Sequence, residues 1–273
     1  MTYDFDKDGF MIVDGFLPRA MVDTISRYFQ MKKRMGDFNS SGSPGFIPGA
    51  QTWYGDCLTE ALLITMHPAI EEFTNKKLYP AYSFCRNYLR YQKLPVHTDR
   101  PSCEVSLTMC LGGTYDSDDF VWPICIEHPP EHVKHFQKPG DMIVYKGTEM
   151  KHWRPRLLHG ENHLQMHLHY VDVESSWAED LKFDARTSLG IPEVAGDGHE
   201  EVKLKWAEFM GWGYNAGIVN DKGTDWTDED TKSLDDYIPD NPGLPDLEMV
   251  ARFGPADDVE EYRTKLQNYG STI

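Results

Sequence analysis

The chain has 273 residues, 40% of them hydrophobic, and a formal net charge of −17, enough apolar content to close a full core in one large domain or one domain with an extension. That charge excludes nonspecific attraction to nucleic acid or anionic lipid, and the nearest basic run, Lys32-Lys33-Arg34, is too short to reverse it. No stretch approaches the ~20 apolar residues of a membrane span, and the start, MTYDFDKDGF, lacks the basic-then-apolar order of a leader.

In chain order, Gly9-Phe10-Met11-Ile12-Val13 reads as a short strand ended by Asp14-Gly15, and Pro18 opens a helix with Met21, Ile25, Tyr28 and Phe29 at helical spacing. Asn39 to Gly49 is a loop by its Gly, Ser and Pro content. Leu58, Leu62, Leu63, Met66, Ile70 and Phe73 then recur at threes and fours, with Pro68 expected to restart the helix after His67. Strands are predicted over Tyr82–Gln92, Val105–Leu111, Val121–Glu127, Met142–Tyr145 and His163–Val171. Short strands at this spacing predict a mainly β sandwich or barrel with flanking helices. Beyond Ser175 helical spacing returns at Val202, Trp206, Phe209 and Met210, and at Val259, Tyr262 and Leu266, among acidic and Pro-rich loops such as Asp235 to Pro245. The expected organisation is a domain over residues 1–175, its core at about 79–173, and an acidic helical extension over 176–273. Cys57, Cys85, Cys103, Cys110 and Cys125 are odd in number and without paired spacing, which predicts free thiols and a cytoplasmic setting.

Chemistry concentrates at His97-Thr98-Asp99 and, after a Pro139-Gly140-Asp141 turn and an apolar run, at His152. With 11 His and 44 acidic residues, a His-x-Asp/Glu triplet arises roughly twice by chance. The chain has three, the others being His159 to Glu161 and His199 to Glu201. Context separates them. His97 and Asp99 follow an aromatic strand and a bend at Pro95, and residues two apart on extended chain face the same way. His199 lies in an acidic, Gly-flanked stretch that reads as surface. Two imidazoles and a carboxylate leave three positions open on ferrous iron, so the set points to a non-haem iron oxygenase.

Tyr88-x-x-Tyr91-x-x-Leu94-x-x-His97-x-Asp99, then Pro139-Gly140-Asp141-Met142-Ile143-Val144-Tyr145, then His152 with Gly160 eight residues on, resembles the 2-oxoglutarate and iron(II)-dependent dioxygenases, particularly their prolyl 4-hydroxylase-like branch. The resemblance covers roughly Tyr82 to Asp172 and implies a double-stranded β-helix, or jelly roll. It implies Fe(II) held by His97, Asp99 and His152, with 2-oxoglutarate as co-substrate near Tyr88. The activity it implies is hydroxylation of a peptidyl, including prolyl, or small-molecule substrate by O2, releasing succinate and CO2. A carboxylate at Asp99 points to hydroxylation, because halogenating relatives carry a small residue there.

One departure stands out. The family places a Lys or Arg about ten residues after the second metal histidine, to pair with the far carboxylate of 2-oxoglutarate, and this chain has Asn162 there. A buried carboxylate left unpaired costs several kcal/mol, so another cation is expected to reach it. Arg90 and Arg154 are favoured, with Arg86, Arg100 and Arg156 as the other candidates.

His163, Gln165, His167 and His169 alternate with Leu164, Met166, Leu168 and Tyr170 and so share one strand face. Gln165 and His169 are expected to contact the co-substrate or orient a ligand carboxylate. His128, His132 and His135 in EHPPEHVKHF read as a solvated loop. Trp122, Trp153 and Tyr145 serve equally as core or as the wall of a substrate pocket. Two rival readings stay open. One is a cupin-like metalloprotein using His152, His167 and His169 without 2-oxoglutarate, and the other a noncatalytic β-helix binding module.

Overall fold

The computed structural model describes residues 3–39, 47 and 49–191. Asp4 accepts hydrogen bonds from the amides of Asp6 and Lys7 and starts a single turn, α1 (Phe5–Asp8), which Gly9 ends at φ +80° ahead of β1 (Phe10–Val13). Next come α2 (Arg19–Arg34), β2 (Gln51–Tyr54) and α3 (Cys57–Thr74), the last capped by Asp56 through the amide of Leu58. The strands β3 (Leu78–Leu89) and β4 (Leu94–His97) lead to a 3-10 turn at Pro101–Cys103. They are followed by β5 (Val105–Tyr115), β6 (Pro123–His128), β7 (Glu131–Phe136), β8 (Met142–Tyr145), β9 (His152–Arg154), β10 (Gly160–Asp172) and α4 (Ala178–Leu181).

From β3 to β10 the chain winds between two antiparallel sheets, one ordered β1-β8-β5-β10-β3-β2 and the other β4-β9-β6-β7. Strands shared out between two facing sheets in this way form a double-stranded β-helix, mainly β with helices on one flank. The period of two in the sequence explains both faces of the larger sheet. Leu164, Met166, Leu168 and Tyr170 of β10, with Leu107 and Met109 of β5, pack under Leu63, Met66 and Ile70 of α3 and Val22, Ile25 and Phe29 of α2. Each side chain of this size contributes roughly 1.5–3 kcal/mol when fully buried. The alternate residues His163, Gln165, His167 and His169, with Ser106, Thr108, Tyr82 and Tyr88, line the opposite face.

Two expectations are corrected here. Pro68 does not restart the helix, because α3 runs through it. The carbonyl it leaves without a partner, that of Ile64, belongs to a residue 55% exposed, where water can satisfy it. EHPPEHVKHF is not a loop: it turns at Pro129-Pro130 and returns as β7 in register with β6, so that His135 pairs across from Ile124 and His132 from Glu127.

After β10 the chain doubles back onto the barrel. Arg186 meets Glu60 in a buried ion pair, and Arg100 grips the buried Asp184 carboxylate with two hydrogen bonds of 2.6 and 2.7 Å. Phe183, Asp184 and Ala185 all take φ of 55–60°, a left-handed run that costs L-residues roughly 1–2 kcal/mol each and is held by those pairs. The helices expected around Val202–Met210 and Val259–Leu266, and the His199–Glu201 triplet, lie outside the described residues. No helix among the described residues is long and apolar enough to cross a membrane.

Candidate metal centre

β4 and β9 pair antiparallel with His97 directly opposite His152, which sets their rings 4.2 Å apart. Asp99 lies two residues beyond the end of this pairing and is fixed by its own backbone, whose amide donates to Gly147 O at 2.7 Å. Gly147 must be glycine, since a Cβ there would stand 2.1 Å from Cys103 O, 2.6 Å from Ser106 Oγ and 2.8 Å from Asp99 Oδ2. Asp99 Oδ1 consequently sits 3.4 Å from His97 Nε2 and 3.6 Å from His152 Nε2. The three ligand atoms of His97, Asp99 and His152 lie within 4.8 Å of one another.

The hydrogen bonds around this triad prepare it for a cation. His97 Nδ1 is 2.9 Å from Pro95 O and His152 Nδ1 is 3.0 Å from Met150 O. A carbonyl only accepts, so both rings carry their proton on Nδ1 and turn the lone pair of Nε2 toward Asp99. The other carboxylate oxygen, Oδ2, accepts hydrogen bonds from Ser106 Oγ and Tyr145 Oη, each at 3.1 Å. Burial works to raise the Asp99 carboxyl, but in acid, where the rings are protonated, His152, His97 and His169 outweigh it and hold the group well below the usual carboxylate range. Burial and then the neighbouring His97 push His152 down to about 4, so its ring is neutral at pH 7. Two imidazole nitrogens, their ring protons turned away, and one carboxylate oxygen, with His152 buried and His97 and Asp99 half-buried, fit an Fe(II) site with open positions.

A second feature lies on the same strand face. Arg154 follows His152 by two residues, which puts their side chains about 7 Å apart along β9 on one face. It is 1% exposed. Nη2 donates to Gln137 Oε1 at 2.8 Å, Nη1 to Trp122 O at 3.3 Å, and the guanidinium lies 5.1 Å from the Trp122 ring centre. Nε has no partner, and no carboxylate forms an ion pair with Arg154 among the described residues. Burial pushes this guanidinium down, the signature of a cation without its counter-charge. Beside it, Tyr88 is wholly buried with its hydroxyl unpartnered. Gln165 extends the network, donating to Thr108 Oγ1 at 2.8 Å and Gln137 Oε1 at 2.9 Å, and its own oxygen meets His163 Nε2 at 2.7 Å.

The other arginines are placed differently. Arg90 is not brought to the centre: β3 ends at Leu89, Tyr91 turns at φ +72°, and Arg90 instead pairs with the half-exposed Asp116 and donates to Leu158 O. Strand alternation would have carried it inward, and the turn cancels that. Arg100 is taken by Asp184, Arg156 donates to Tyr91 O at 3.3 Å, and Arg86 lies over the Phe84 and Tyr88 rings. His169 does reach the centre, with Nδ1 2.9 Å from Ser106 Oγ. The set His152, His167 and His169 is not assembled. Metal-capable groups among the described residues are His97–Asp99–His152, Asp99–Cys103–His169 and Asp14–His135–Asp141. Trp122 packs against Tyr88 and His163 near Arg154, whereas Trp153 packs against His132. Ser106 and Gly147 gave no signal in the sequence, since a strand serine and a loop glycine are common. Tyr145, read there as core or pocket wall, donates a hydrogen bond to the Asp99 carboxylate.

No family model and no curated protein matches the sequence. Solved structures with a similar fold include a Pseudomonas putida prolyl-4-hydroxylase, at TM-score 0.52 and 16% identity over 62% of this chain and 95% of that one. A Trichoplax adhaerens prolyl hydroxylase in complex with a hypoxia inducible factor oxygen degradation domain peptide fragment aligns at TM-score 0.51 and 14% identity, over 62% and 86%. HygX from Streptomyces hygroscopicus, bound to nickel, 2-oxoglutarate and hygromycin B, aligns at 0.50 and 12%, over 62% and 85%. At these identities the likeness is one of fold.

Proposed function

We propose that the chain is an Fe(II)- and 2-oxoglutarate-dependent dioxygenase that hydroxylates its substrate. The observation that carries this reading is that Arg154, buried and without an ion pair among the described residues, shares a β9 face with His152 of the His97–Asp99–His152 triad. A dicarboxylate that ligates a metal at one end needs a cation at the other. Four C–C bonds of about 1.5 Å span roughly 5 Å in a five-carbon chain, which suits residues two apart on β9.

In this reading His97, Asp99 and His152 hold the ferrous ion. Arg154 takes the distal carboxylate in place of the cation that Asn162 lacks. Tyr88 donates its unpartnered hydroxyl to the same co-substrate, and Gln165 keeps the network beside Arg154 in place. His169 acts through Ser106 on Asp99 rather than on the co-substrate. Bound there, iron and 2-oxoglutarate supply the oxidation of a substrate C–H by O2, coupled to release of succinate and CO2. The protein's part is to fix the donors, exclude water around Arg154, and leave open the positions opposite the triad.

The substrate is a peptide, prolyl residues included, or a small molecule; the similar structures above hold one of each. The chain is read as a dioxygenase domain over 1–175 with an acidic extension over 176–273, and the free cysteines support a cytoplasmic setting. The test is anaerobic addition of Fe(II) and 2-oxoglutarate, which should give a weak visible charge-transfer band, followed by oxygen and a succinate assay. Asp99→Ala should abolish both signals. A wild-type protein showing neither refutes the reading.

A further inference from the structure

We propose a second metal site, for a thiophilic divalent ion such as zinc, built from Cys103, His169 and the shared carboxylate of Asp99. One ligand atom from each of these residues lies within 4.8 Å of the other two. Three segments converge to make it: Cys103 ends the 3-10 turn four residues after Asp99, and His169 comes from the inner face of β10. Cys103 is 1% exposed and His169 5%.

The surroundings are those of a prepared site rather than a chance encounter. Tyr82 touches both private ligands, its hydroxyl 3.2 Å from Cys103 Sγ and its ring stacked on His169 at 4.4 Å between centres. Ser106 Oγ joins the other pair, 2.9 Å from His169 Nδ1 and 3.1 Å from Asp99 Oδ2. Outer hydrogen bonds of this kind fix the orientation of metal ligands. With metal–sulfur and metal–nitrogen bonds of about 2.3 and 2.0 Å, a tetrahedron has edges of roughly 3.3–3.6 Å, so side-chain shifts of about 1 Å close the set.

The donor set also selects the ion. A thiolate is soft and favours zinc or cobalt over magnesium or calcium, whereas the two imidazoles and carboxylate of the neighbouring triad suit ferrous iron. Binding exchanges the Cys103 S–H bond for a metal–sulfur bond and releases one proton to solvent, with no change of oxidation state. Three protein ligands leave a fourth position for water. Asp99 serves both sets, so the site stands beside the iron-binding triad; its own existence does not depend on that triad holding iron.

Cobalt(II) reports on the proposal, because sulfur ligation adds an intense near-ultraviolet charge-transfer band to its weak visible spectrum. The full chain is titrated anaerobically in a Cys57→Ser background, which removes the exposed thiol. The expected result is a sulfur band that saturates at one equivalent, is bleached by zinc, persists in His97→Gln/His152→Gln, and is lost in Cys103→Ser. A background protein that binds cobalt without the sulfur band overturns the proposal, and this measurement needs no variant within the site. A band that survives Cys103→Ser, or that disappears with the triad histidines, overturns it too. Failure of the iron and 2-oxoglutarate reading would appear instead as absent succinate, which leaves the cobalt measurement untouched.

Discussion

Replacing Arg154 with Met or Gln separates co-substrate binding from folding. Truncating one partner of a buried, hydrogen-bonded charge pair costs about 2–5 kcal/mol of binding. Taking about 3 kcal/mol, and a factor of ten for every 1.4 kcal/mol, the KM for 2-oxoglutarate should rise roughly 150-fold. The effect on stability has the opposite sign. In the free protein the guanidinium is buried with Nε unpartnered and, among the described residues, no carboxylate paired with it, so a neutral side chain of similar length removes a desolvation penalty. The metal-free Arg154→Met protein should therefore melt no lower than the parent. Arg90→Gln is the control, because Arg90 serves Asp116 at the surface, and its KM should stay within about twofold, as exposed ion pairs contribute little. Succinate release against 2-oxoglutarate concentration, with thermal melts of the same preparations, decides the matter. A KM for Arg154→Gln within threefold of wild type would sink the assignment of the distal anchor.

Tyr88→Phe should raise the same KM by about 2- to 12-fold, the value of one hydrogen bond at roughly 0.5–1.5 kcal/mol, while leaving the metal-free melt unchanged because the hydroxyl has no partner to lose. Gly147→Ala should cost about 1–3 kcal/mol of stability by overpacking and should weaken iron binding, since the added methyl displaces Asp99; denaturant midpoints and iron titration check both effects. The metal-free protein should also lose stability as pH falls from 6.5 toward 4. Burial, the largest cause in each case, holds His152 and His169 at about 4 and His163 at about 3, so these rings stay neutral when folded and take up protons on unfolding. Their stabilisation is whole above the unfolded value near 6.5 and fades below it. Urea midpoints that stay flat from pH 7 to pH 5 would contradict this.

The sequence disclosed the parts of the fold that repeat. β10 alternates from His163 to Tyr170 and β8 is a bare apolar run between turn residues, so both stood out. β4 and β9 did not, because strands of four and three residues are too short to show a period. Proline hid β7, as its turn chemistry outweighed a strand that begins immediately after it. The clustering of His97, Asp99 and His152 was legible because its spacing is local at His97 and Asp99 and a recognisable turn precedes His152. That Arg90 leaves its strand for the surface while Arg154 stays buried on β9 was not legible. Both sit in phase with a key residue, and what divides them is where a strand stops, which depends on the left-handed turn at Tyr91. The hydroxyls of Ser106 and Tyr145 on Asp99 come from strands that meet it only in three dimensions.

The opposition of His97 and His152 across β4 and β9 makes any ion in the triad a fastener between two of the shortest strands in the barrel. Sliding either strand by one position would turn its imidazole to the other side, so an ion that demands both nitrogens also proofreads the alignment of the smaller sheet. Chelation should therefore loosen that seam first, with amide exchange quickening around residues 94–97 and 152–154 while the helix-backed sheet behind it stays protected.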